Sequence, residues 1–75
     1  MKPIIVKIDY RDFIVRWWNN DDMKFWTWVK RQLCDAGMPL DCSFDIKAGE
    51  LIPVIGTLNI ASDYTTNAVY FKWTP

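Results

Sequence analysis

The chain has 75 residues, of which 51% are hydrophobic and 16% aromatic, with five tryptophans. A chain this short buries only roughly 60% of its unfolded surface, so residues 1–75 suit a single domain without a deep catalytic cleft. Nine basic and nine acidic side chains cancel, which removes both the broad positive field of a nucleic-acid coat and the acidic balance of a DNA mimic. Histidine is absent, and with it go Ser/His and Cys/His nucleophile pairs, histidine proton relays and most zinc or iron sites.

The first eighteen residues predict a β-hairpin. Ile4, Val6, Ile8 and Tyr10 alternate with polar neighbours, and Phe13, Val15 and Trp17 resume the alternation in the other parity. A two-residue turn at Arg11-Asp12 would pair Tyr10 with Phe13, Ile8 with Val15 and Val6 with Trp17, giving one apolar face. A bulge in one longer bent strand is the alternative. Asn19-Asn20-Asp21-Asp22 then supplies capping oxygens and negative charge for a helix start. The spacing predicts a helix over Asp21 to Ala36, burying a stripe of Trp26, Val29, Leu33 and Ala36 with Phe25 at its edge. Gly37 fits the left-handed position after the helix, and Pro39 prevents continuation.

Cys42, Phe44 and Ile46 alternate with Ser43, Asp45 and Lys47 as a short strand, and 51–56 reads as an irregular or edge segment because Pro53 and Gly56 interrupt it. Thr57 to Ser62 and Ala68 to Trp73 predict a second hairpin around a loop at 63–67, with Ile60 opposite Phe71 and Leu58 opposite Trp73. The expected fold is an α+β two-layer sandwich in the order ββαβββ, one helix packed on a mostly antiparallel sheet.

That arrangement leaves one sheet face open, carrying Lys7, Asp9, Ile14, Arg16, Trp18, Asp45, Lys47, Thr57, Asn59, Tyr70 and Lys72. Its basic members outnumber its acidic ones, and Lys7 opposite Arg16 would place like charges across the strands. Trp28 falls away from the buried stripe, among Lys24, Arg31, Gln32 and Asp35. Tryptophan and arginine are enriched in interface hot spots, so Trp28, Arg31 and Lys24 read as a partner-binding knob, extended by Trp18 and Tyr70. Packing beneath the 38–40 loop or the 51–56 segment is the bland account of Trp28. Trp17 and Trp26 read as core from their parity and stripe positions.

Chemistry has little to work with here. Glu50 is the only glutamate, Asp21-Asp22 is explained by helix capping, and Cys34 lies near a helix C-terminus that disfavours thiolate. No catalytic, metal or cofactor site is expected. Cys34 and Cys42 are expected as reduced structural thiols, with a bridge between them as the alternative. The apolar start is broken by Lys7 and Asp9, short of a secretory signal, and no run approaches the roughly 20 apolar residues of a membrane span. The expectation is a cytoplasmic protein without membrane contact.

Size, lack of catalytic equipment and surplus aromatic anchors together fit a non-catalytic protein-binding inhibitor or adaptor. Its expected partner is a host protein or protein complex. Small phage or mobile-element proteins that block a host machine, anti-CRISPR and other anti-defence inhibitors among them, share this type of size and surface. The alternative is a single-stranded nucleic-acid binder using Lys7, Arg16, Trp18, Lys47, Tyr70 and Lys72 on the open sheet. A homodimer that covers this face is a third arrangement.

Overall fold

Asp9 is where the backbone leaves the strand conformation. Its Oδ1 accepts hydrogen bonds from the N–H groups of Arg11 (2.9 Å) and Asp12 (3.3 Å), the signature of a helix N-cap. The computed structural model describes residues 2–41 and 51–75. Among them are strand β1 (Ile4–Asp9), helices α1 (Tyr10–Asn19) and α2 (Asp22–Asp35), and strands β2 (Thr57–Asp63) and β3 (Ala68–Thr74). The protein is thus a small α+β domain with an antiparallel sheet, but the described order is βααββ rather than ββαβββ. The strand expected around Cys42 to Ile46 lies outside the described residues.

The first hairpin does not form. Tyr10, Phe13, Ile14 and Trp17 follow the i, i+3, i+4, i+7 spacing of a helix as well as Phe13, Val15 and Trp17 follow that of a strand, and the chain takes the helix, with Asp9 as its cap. Val6 and Ile8 find their partners in Phe71 and Val69 of β3 instead of Trp17 and Val15. Trp17, expected in the core, is 51% exposed, and α1 has no fully buried residue. Lys7 pairs with Tyr70, so the expected juxtaposition of Lys7 and Arg16 is absent.

α2 follows the sequence pattern closely. Asp21 is its N-cap, accepting from the Lys24 N–H at 2.8 Å. At the other end Gly37, at φ +92°, donates to the Cys34 carbonyl (3.0 Å) and Met38 to the Leu33 carbonyl (3.2 Å). These two bonds make a Schellman motif, and Leu33 and Met38 are both buried, as its apolar contact requires. The buried arc centres on Phe25, Val29 and Leu33, one step around from the expected stripe: Trp26 is only half-buried and Ala36 is exposed.

The sheet order is β1-β3-β2, with both neighbours antiparallel to the central β3. Ile60 pairs with Phe71 and Leu58 with Trp73, as the alternation predicts. Three rows therefore line the inner face: Ile4, Trp73 and Leu58; Val6, Phe71 and Ile60; Ile8, Val69 and Ser62. Both helices pack over that face. Phe13 of α1 meets Phe25 edge-on (centroids 4.9 Å apart, planes at 86°) and lies 6.5 Å from Phe71.

Segment 51–56 is irregular, as expected. Pro53 bridges Leu40, and the Val54 N–H donates to the Pro39 carbonyl at 2.7 Å. Gly56, at φ +83°, brings the chain against β3 so that the buried Trp73 indole donates to the Ile55 carbonyl at 2.7 Å. A side chain there would sit 2.8 Å from Trp73 Nε1 and collide with the Thr74 carbonyl. In the turn after β2, the Thr65 N–H donates to Asp63 (2.9 Å) and holds that carboxyl below the ordinary aspartate value.

Candidate binding groove

The outward side of α2 repeats Lys24, Thr27, Trp28 and Arg31 at i, i+3, i+4 and i+7, which places all four on one helix face. With Met23 they line an open groove of about 280 Å³. Three of the expected contact residues, Lys24, Trp28 and Arg31, are thus brought together. The Trp28 ring is half-buried rather than exposed, packing on Phe25 with centroids 6.3 Å apart. The ring is held by Phe25 of the core on α2 itself and by Arg16 of α1. Arg16 of α1 lies over the indole, its guanidinium carbon 4.4 Å from the ring centroid. A cation in that position is worth about 0.5–1 kcal/mol at an exposed site.

The groove thus presents an indole with cationic side chains of Lys24, Arg31 and Arg16 around it. Such a surface fits a partner element combining an apolar side chain with carboxylates. Arg16, expected on the open sheet face, reaches the groove from α1. No local signal couples it to Trp28, because the contact depends on how α1 lies against α2. Met23 and Thr27 were within reach of helical spacing.

The remaining expected contacts are separate from this groove. Trp18 sits on α1, 81% exposed, two residues and so some 200° around the helix from Arg16, where with Trp17 it lines a second pocket of about 230 Å³. Tyr70 is half-buried on the open sheet face, its hydroxyl 3.2 Å from Thr66 Oγ1. Lys7, Tyr70, Lys72, Thr57 and Asn59 do share that face, but Ile14, Arg16 and Trp18 belong to α1. The six-residue nucleic-acid surface is therefore divided between sheet and helix, and Lys47, with Asp45, lies outside the described residues.

Cys34 is half-buried near the end of α2, and Cys42 is outside the described residues. Among the described residues no three Cys, Asp or Glu side chains gather as metal ligands, and no helix is long and apolar enough to cross a membrane. Comparison with family models, curated proteins and solved structures returned no match.

Proposed function

We propose that this protein is a small non-catalytic binding module that blocks a host protein machine sterically, in the manner of phage or mobile-element anti-defence inhibitors such as anti-CRISPR proteins. The observation that carries the reading is the groove on α2, where Lys24 and Arg31 flank Trp28 and Arg16 stacks on its ring. A half-buried indole fixed between Phe25 and a guanidinium has little rotamer freedom left to lose on binding, which favours it as an anchor. The surrounding cations select for acidic surface on the partner. The reading includes a cytoplasmic location.

The test begins with capture of partners by the tagged protein from a bacterial lysate, with and without nuclease treatment, followed by affinity measurements on the purified partner. Lys24→Glu changes an exposed side chain and leaves the Asp21 cap intact, so its melting temperature should match the parent. It should weaken binding at least tenfold, or about 1.4 kcal/mol. Trp28→Ala should weaken binding more, but with some loss of stability because Phe25 loses a neighbour. Unchanged affinity in Lys24→Glu would remove the groove from the interface. Recovery of nucleic acid alone, with every protein lost after nuclease, would favour the surface around Lys7, Tyr70 and Lys72.

A further inference from the structure

The two edges of the sheet are protected unequally. β1 is preceded by Pro3, carries Lys7 and Asp9, and runs directly into α1. Prolines, charges and abrupt exits are the usual guards of a strand edge. β2 has none of these over Thr57 to Ser62, its one charge being Asp63 at the end. No described strand pairs with its outer side, and five of its seven residues are exposed. Ile60 points to the same face as the buried Phe71 beside it, yet is 52% exposed. The helical layer therefore stops short of this edge.

We propose that β2 is a self-pairing edge, onto which a second copy of the chain docks antiparallel about a two-fold axis through Ile60. The two three-stranded sheets then fuse into one, with the helices of both copies on the same face. The sequence of β2 is self-complementary in that register. Ile60 meets Ile60 of the partner subunit, covering the exposed apolar side chain at the centre. Thr57 lies opposite Asp63 of the partner subunit, a hydroxyl against a carboxylate, and no like charges face each other. The backbone donors and acceptors of both edges are satisfied by the same step. This surface is distinct from the groove on α2 and stands independently of the proposed function.

Two measurements test the assignment. Light scattering at about 100 µM, well above a micromolar dissociation constant, should give twice the 8.9 kDa chain mass. Ile60→Lys should return the monomer mass with an unchanged circular dichroism spectrum. Cross-linking tests the register and does not depend on that variant folding. In a Cys34→Ser, Cys42→Ser background, Ile60→Cys sits with its Cβ about 4.5–5.5 Å from its copy and should oxidise to a covalent dimer. Ser62→Cys lies four residues out of step, about 13 Å from its copy, and should not. A monomer at that concentration, a dimer untouched by Ile60→Lys, or equal cross-linking at both positions would each overturn the proposal.

Discussion

α1 and α2 are separated only by Asn20 and Asp21, yet they contribute to the molecule in opposite ways. α2 sinks Phe25, Val29 and Leu33 completely into the core. α1 buries no residue completely and turns Trp17 and Trp18 outward. Both are amphipathic and both are capped by an aspartate, so helix formation and burial are separable here. One helix holds the domain together, and the other is held by it through Phe13, the Asp9 cap and Arg16.

The largest expected effect comes from the core side of this contrast. Leu33→Ala should cost about 2–5 kcal/mol, because it removes a fully buried side chain that also closes the Schellman motif with Met38. Trp18→Ala on α1 should leave urea unfolding within about 0.5 kcal/mol of the parent despite the larger side chain removed. Comparable losses from the two would erase the distinction between the helices. Next comes Phe13→Ala, which deletes the ring between α1, Phe25 and Phe71. A half-buried aromatic at this junction should be worth about 2 kcal/mol. Amide exchange should then accelerate across α1 while Val29 and Leu33 stay protected, whereas uniform acceleration would show that the helices open together. A loss smaller than that of Phe13→Ala is expected at the caps, where Asp9→Ala and Asp21→Ala should each cost about 1 kcal/mol by thermal unfolding. Asp9 accepts two backbone N–H groups against one for Asp21, so the first substitution should be the costlier.

The same contrast explains what could be read from residue order. For α2, the Asp21 cap, the apolar stripe and Gly37 all agree, and the helix falls within a residue of its expected ends. β2 and β3 were legible in register because Leu58 and Ile60 on one strand and Phe71 and Trp73 on the other alternate onto one sheet face. Residues 10–18 are rich in β-branched and aromatic side chains and satisfy two periodicities at once. There the helix is favoured by the Asp9 cap together with tertiary context, since β1 pairs with β3 and Phe13 packs on Phe25 and Phe71. That Lys24, Trp28 and Arg31 form one site was legible because it needs only helical spacing. The Arg16 contact over Trp28 needs the tertiary position of α1, which no local pattern in residues 10–18 specifies.

The burial of Trp73 has an optical consequence. Its indole is closed off from solvent and bonded to the Ile55 carbonyl, whereas Trp18 stands in water. The intrinsic fluorescence of the native protein should therefore contain a blue, iodide-resistant component and a red, readily quenched one. A ligand seated near Trp17 and Trp18 would act on the second component alone, while loosening of segment 51–56 would act on the first. The chain carries its own pair of probes, one for its surface and one for its interior.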